Sequence, residues 1–242
     1  MNNKTWDGLP RVSFCRFNNF GDKLNTIILD KYVGKYQIVP NNDKCKLMPL
    51  GSILETSTTG DMIWGSGMMY NKEYQAPAYT EILSVRGPLT RDLIKGVNVP
   101  EIYGDPALLL PLIYHPNIKK IHKVGYIPHY IDKGIWTEGF IIDVQQDTYK
   151  VIDDILSCER IVSSCLHGLI VSEAYGIPAT WVELSNNVFG SGFKFRDYAA
   201  STNREIEKGK ELPPIPNLKE LQQGLIKAIS EADLNKITKV IY

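Results

Sequence analysis

An α/β fold in two halves that face each other across a cleft is predicted by three features of the sequence. Short apolar runs alternate with helical patterns, as parallel sheets with crossover helices require. The alternation breaks once, over the polar, proline-marked stretch Ile113-Tyr114-His115-Pro116-Asn117-Ile118-Lys119-Lys120, and then restarts. Polar side chains gather just past the apolar runs, at the carboxyl ends of the expected strands, where open α/β sheets bind ligands. Each half is therefore Rossmann-like, with expected bounds 1–117 and 118–242, the second half carrying a C-terminal helix.

In the first half, Arg11–Phe17 reads as a strand and Asn18–Asp22 as the loop leaving it. Leu24, Ile27, Ile28 and Val33 then fall mostly at helical spacing, and Gly34 supplies a stop. Tyr36–Val39 is the second strand, followed by short apolar segments near Leu50–Leu54 and Asp61–Trp64. Glu81–Arg86 is a strand whose Gly87-Pro88 turn opens a helix with proline at its first position. Glu101–Tyr103, a Gly104-Asp105-Pro106 break and an apolar run through Leu110 repeat the pattern.

The second half restarts with strands at Lys123–His129 and Gly139–Asp143. Asp147 fits the cap of a helix whose Val151, Ile152, Ile155 and Leu156 share one face. Arg160–Ser164 is a strand, and the helix from His167 stops at Gly176-Ile177-Pro178. Ala179–Leu184 is a strand, Phe193–Ser201 a short helix, and Asn217 with Glu220 resembles a capping box before the last helix.

Composition narrows the function classes. Lys+Arg and Asp+Glu both total 27, so no basic excess marks a nucleic-acid partner. Cys15, Cys45, Cys158 and Cys165 lack C-x-x-C or zinc-like spacing and read as free thiols of a reducing compartment. No apolar leader and no run of about 18 apolar residues is present, so a cytoplasmic enzyme is expected, with peripheral contact to a membrane-borne substrate left open. The sequence also lacks G-x-G-x-x-G after the first strand, a Walker glycine loop, a G-x-S-x-G elbow and H-E-x-x-H.

The chemistry-bearing candidates are strand-end residues. Most distinctive is Ile161-Val162-Ser163-Ser164-Cys165-Leu166-His167-Gly168-Leu169-Ile170, where an apolar run stops at two serines and a histidine before a helix. A helix N-terminus there offers free N–H groups and a positive dipole end to an anion. Ser164 either contacts that anion or caps the helix; His167 either moves a proton or is a satisfied core histidine. The remaining candidates are Asn18, Gly21, Asp22 and Asn25; Arg86, Thr90 and Arg91; Asp105; and Lys194, Arg196 and Asp197. Asp22 also fits a cap for the first helix, Arg86 and Asp105 a structural ion pair, and Arg91 a solvent-facing position. His115, His122 and His129 read as surface or loop histidines.

Four segments in order carry a family likeness: Asn19-Phe20-Gly21-Asp22-Lys23-Leu24-Asn25, Ser84-Val85-Arg86-Gly87-Pro88-Leu89-Thr90, Gly104-Asp105-Pro106-Ala107-Leu108 and Ser164-Cys165-Leu166-His167-Gly168. Together they resemble the polysaccharide pyruvyl transferase family over most of residues 11–200. The resemblance implies a GT-B-like fold and transfer of the enolpyruvyl carbons of phosphoenolpyruvate to two sugar hydroxyls as a cyclic ketal. It implies acceptors among capsular, exopolysaccharide and cell-wall glycans or their lipid-linked precursors, at the inner face of the membrane in the lipid-linked case. Phosphoenolpyruvate is the donor substrate, and neither a further cofactor nor a metal is expected.

On these positions His167, Asp105 and Asp22 take acid–base roles, and Asn18, Gly21, Asn25, Arg86, Ser163, Ser164, Leu166, Gly168, Lys194 and Arg196 bind substrate. Many relatives carry an arginine two residues before the motif histidine, where this chain has Cys165, so one anion contact must come from elsewhere or be missing. Two other readings use the same scaffold: a nucleotide-sugar-dependent glycosyltransferase, and a non-catalytic glycan- or anion-binding protein.

Overall fold

The computed structural model describes residues 8–240. The first half runs β1 (Arg11–Val12), α1 (Phe20–Tyr32), β2 (Gln37–Ile38), β3 (Leu47–Met48), β4 (Met62–Trp64), β5 (Tyr74–Gln75), β6 (Glu81–Ser84), α2 (Pro88–Leu93) and β7 (Ile94–Lys95). A 3₁₀ segment, Pro106–Leu112, leads into β8 (His122–Ile127), β9 (Phe140–Ile141), α3 (Thr148–Leu156), β10 (Cys158–Ser163), α4 (Leu166–Ala174), β11 (Ala179–Trp181), α5 (Phe193–Ser201) and α6 (Leu218–Ser230).

Both main sheets are parallel throughout. The first has the order β2-β1-β3-β4-β6 and the second β11-β10-β8-β9. The direction of winding therefore reverses between β1 and β3 in the first sheet and between β8 and β10 in the second. Loops leaving strands at such reversals diverge and open a crevice at the carboxyl edge of the sheet. Each half thus makes one crevice from strand order alone.

Local sequence explains most element ends. The Asn19 side chain accepts the Asp22 N–H and caps α1, while Asp147 accepts the Lys150 N–H and caps α3. Gly176 takes a left-handed φ of 72° where α4 stops. Three expectations fail. Asp22 lies within the first turn of α1 and is not its cap. Asn217 turns its amide to the Ser201 carbonyl, so the capping box before α6 does not form. Glu101–Tyr103 makes only an isolated bridge, Val85 to Tyr103, because the left-handed Gly104 turns the chain away at once.

One apolar core runs through both sheets, from Val12, Leu24 and Trp64 to Ile127, Ile161, Leu169 and Leu225. The last helix, α6, returns to the first half: the Trp64 indole N–H donates to the Leu225 carbonyl at 2.9 Å, and the Gln222 amide donates to Leu108 at 2.8 Å. A second tie is a cap supplied from across the chain. Gly87, the N-cap of α2, has no side chain to offer, and Asp197 of α5 accepts the Thr90 N–H at 2.9 Å and the Thr90 hydroxyl at 2.6 Å. A Cβ on Gly87 would stand 2.1 Å from the Asp197 carbonyl oxygen, so glycine is what lets α5 approach. Among the described residues no helix is long and apolar enough to cross a membrane.

Candidate active site

The two crevices open into one pocket of about 270 Å³. Cys15, Phe17, Asn19 and Asp22 enter it from the β1 side, Gly51, Ser52 and Ile53 from beyond β3, His129 and Tyr130 from beyond β8, and Cys165, Leu166 and His167 from beyond β10. These are the four loops that flank the two reversal points, which is why residues over 140 positions apart in the numbering meet here. Lys194, from the first turn of α5, completes the lining. Phe17 and Phe189, 63% and 60% exposed, stand among the lining residues as large apolar groups open to solvent.

His167 is the centre of this arrangement. Its Nε2 faces Asp105 Oδ2 at 3.5 Å, and neither atom has another partner among the described residues. Asp105 is itself fixed, because its other oxygen accepts the Ala107 N–H at 2.9 Å and caps the Pro106–Leu112 segment. The imidazole edge bearing Nδ1 lies on Gly21, where a Cβ would come within 2.2 Å of that nitrogen. Gly21 serves the site by being small. Asp22, one residue on, is held by Asn19 at 2.5 Å, and burial pushes its carboxyl up to about 6, against a smaller opposing pull from His167. Such a group exchanges its proton near neutrality.

The shift at Asp22 also sets a stability prediction. Its folded value lies above the unfolded value of 3.8, so the folded chain binds the extra proton between these pH values, and stability falls as pH rises from about 4 through 6. Above that window the cost of burying the carboxylate is complete. Asp22→Asn is therefore expected to raise Tm at pH 8 by about 5 °C and to leave it nearly unchanged at pH 4. Thermal melts of both proteins at the two pH values check this, and equal shifts at both would remove the titration from the explanation.

Lys194 supplies the cation. It is 7% exposed and makes no hydrogen bond or ion pair among the described residues. Burial, and then the nearby Arg86 charge, hold its ammonium below the ordinary lysine range, while Cys165, Asp132 and Asp22 pull it back up. Its Nζ stands 5.6 Å from the Phe195 ring centroid, a weaker contact than an ion pair, so an arriving anion gives the ammonium the charge partner it lacks. The N-termini of α1 and α4 reach the same pocket through Asn19 and Cys165 and add N–H groups and positive dipole ends. Lys194 sits on the wall that holds Cys165, so a cation is present although position 165 is uncharged.

His129 was expected at the surface and instead lines the pocket, half-buried, with Nδ1 accepting the Ile131 N–H. Burial pulls it down to about 4, and Lys194 adds to that, so the ring is neutral at physiological pH with its proton on Nε2. The local signal for it was available: it stands two residues beyond a strand end, as Cys165 does.

Several expected binding residues lie elsewhere for identifiable reasons. Arg86 is 1% exposed and fully engaged, with Nε to Asp197 at 2.8 Å and its two terminal nitrogens to the Ser52 hydroxyl and the Met68 carbonyl, each at 2.7 Å. Its ion-pair partner is thus Asp197 and not Asp105. Arg91 pairs with Glu101 at 3.0 Å, and Arg196 is exposed, with one guanidinium nitrogen on the Ser191 carbonyl. Asn25 is buried and donates to the Asp22 carbonyl, a helix-internal bond, and Asn18 is exposed outside the lining.

Ser163 closes its own turn, accepting the Cys165 N–H and donating toward Ile127 and Cys165 carbonyls. Ser164 does not cap α4. Cys165 holds the cap position, and Ser164 instead donates to Asp132 at 2.8 Å and accepts the His129 N–H. Gly168 is small because a Cβ would stand 2.6 Å from the Ser163 hydroxyl. Leu166 lines the pocket as an apolar wall. Among the described residues no three His, Cys, Asp or Glu side chains cluster to hold a metal ion.

Known proteins share this chain's sequence. It is 30% identical over 218 residues to an uncharacterised protein of Acanthamoeba polyphaga mimivirus, covering 82% of this chain and 76% of that one. It is 31% identical over 198 residues to the succinoglycan biosynthesis protein ExoV of Rhizobium meliloti, covering 75% of this chain and 60% of ExoV. No solved structure gives a significant match. The family model described as polysaccharide pyruvyl transferase matches residues 62–186, a span that holds Asp105, His129 and His167 and ends just past β11. With just over half of the chain inside that match, and the histidine, its aspartate partner and the cation assembled around one pocket, the protein belongs to the polysaccharide pyruvyl transferase family.

Proposed function

We propose that the protein transfers the enolpyruvyl carbons of phosphoenolpyruvate onto two hydroxyls of a sugar, in a polysaccharide or its lipid-linked precursor, releasing phosphate. The observation that carries this reading is Lys194: a buried lysine whose ammonium makes no hydrogen bond or ion pair among the described residues, in a pocket that also holds two helix N-termini, two histidines and a carboxyl able to exchange a proton near pH 6. Phosphoenolpyruvate brings a carboxylate and a phosphate to such a site, and charge-assisted bonds to Lys194 and the helix N–H groups hold them. His129, neutral, donates from Nε2.

Proton traffic follows from the same residues. Asp22 delivers a proton to the methylene carbon, which becomes the methyl group, and C2 accepts the first sugar oxygen. His167, oriented through Nε2 by Asp105, takes that hydroxyl's proton on Nδ1. The C2–O bond to phosphate then breaks, and the second sugar oxygen adds to C2. Its proton leaves with the phosphate, and His167 returns the first hydroxyl's proton to Asp22, so the methyl group and hydrogen phosphate each gain one proton and both residues recover their starting states. The two-sheet layout, with the pocket fed by a crevice from each, supports a GT-B-like arrangement of the halves.

The reading is tested by phosphate release from phosphoenolpyruvate in the presence of fractionated glycan precursors. Release that depends on both the precursor and intact His167 is the expected result. A nucleoside diphosphate released from a nucleotide sugar, with phosphoenolpyruvate untouched, would replace it with glycosyl transfer.

A further inference from the structure

A second pocket, of about 300 Å³, opens at the carboxyl ends of β10 and β11, back to back with the first. Three pairs of consecutive residues divide between the two: Ser164 and Cys165, Phe195 and Lys194, and Val188 and Phe189, the first of each pair in the second pocket and the other in the first. The partition is therefore a single thickness of chain at three places. A ligand in the second pocket stands across that partition from Cys165, Phe189 and Lys194 and does not compete for Lys194.

Its chemistry differs from its neighbour's. At its back Trp181 stacks on Phe195, with ring centroids 4.7 Å apart and planes 16° from parallel; both rings are buried, and Lys208 Nζ stands 5.5 Å from the Trp181 centroid. Trp181 is buried, and its indole N–H has no acceptor among the described residues. The walls carry Ser164, Glu183, Ser185, Asn186 and Lys208, of which Lys208 is already paired with Glu183. Beneath them the buried Asp132 accepts both serine hydroxyls, Ser164 at 2.8 Å and Ser185 at 2.5 Å. The pocket thus offers an unpartnered indole N–H, amide and hydroxyl groups, the Lys208–Glu183 pair, and no free cation among the described residues. A diphosphate finds no counter-charge here. A neutral pyranose does find matching groups, its hydroxyls for the orphan indole N–H and for the amide and hydroxyl walls.

We infer that this second pocket is the acceptor subsite, binding one neutral sugar ring of the glycan beside the donor pocket. The inference rests on the pyruvyl-transfer reading only for the word acceptor; sugar binding is measurable without turnover. The experiment is ligand-observed saturation-transfer NMR on the full chain with the methyl pyranosides of glucose, galactose and mannose as probes. At least one is expected to bind in the millimolar range, undisplaced by phosphoenolpyruvate, with Asn186→Ala and Glu183→Ala each weakening it about fivefold, as the loss of one hydrogen-bonding side chain does. Both residues are exposed, so these variants keep the fold. Absence of binding by all three probes overturns the inference, as does displacement by phosphoenolpyruvate or binding indifferent to both variants. Competition by uridine diphosphate that is lost in the same variants would make the pocket a nucleotide site. A failed phosphate-release assay leaves this measurement standing, so the two readings fail separately.

Discussion

Replacing Lys194 by methionine is expected to lower kcat/KM for phosphoenolpyruvate at least about a hundredfold while Tm holds or rises. The two effects have one cause. In the free protein the lysine is buried, makes no hydrogen bond or ion pair among the described residues and feels the Arg86 charge, so removing it relieves a desolvation cost larger than its contact with the Phe195 ring. With the anion bound, the same removal leaves a carboxylate or phosphate facing an apolar thioether of similar length, and a truncated buried charge pair costs about 2–5 kcal/mol. Steady-state kinetics and a thermal melt on the same preparation check both halves. Activity within tenfold of the parent, or a Tm several degrees lower, would show Lys194 to be a structural residue and not the anion ligand.

The second large effect belongs to Arg86, and it falls on stability. Arg86→Ala is expected to cost about 3–5 kcal/mol, roughly 10 °C in Tm, because it strands the fully buried Asp197 carboxylate without its charge partner. Three separate acceptors, from Ser52, Met68 and Asp197, meet the planar guanidinium, so Arg86→Lys is expected to recover little of the loss. The damage reaches the site indirectly. Asp197 caps α2 and sits one turn after Lys194 on α5, so the Arg86–Asp197 pair sets where the pocket's cation stands. A variant with normal Tm and a raised KM for phosphoenolpyruvate would return Arg86 to the anion site.

How far the sequence was readable depended on the reach of each interaction. Phe193–Ser201, the proline at the start of α2 and the Asp147 cap of α3 are settled within a few residues, and the expected and observed elements agree. His167 reaches Asp105 and the neighbourhood of Asp22 because strand-end positions in both halves, Asp22 past β1 and His167 past β10, open toward one pocket. Arg86 was misjudged because its partner lies 111 positions away on α5. His129 was missed because the Pro128 turn disguised a strand-end loop as an ordinary surface connection. Neither reading offered for Ser164, anion contact or helix cap, reveals Asp132, which holds its hydroxyl from 32 positions upstream. Short strands were the other loss: β5 and β7, two residues each, pair only with one another and carry no alternation to read.

Conversion of phosphoenolpyruvate and a glycan into a ketal, proposed for the pocket lined from both sheets, is read out by following carbon-13 at C2 of labelled phosphoenolpyruvate. Incubation with the glycan precursor is expected to turn the vinyl carbon signal into a quaternary ketal carbon bonded to a methyl group, with one phosphate released per ketal. Substituting His167 by alanine should abolish that conversion in a protein that still folds. A label that stays vinylic on the sugar, or emerges only as free pyruvate, would contradict the account.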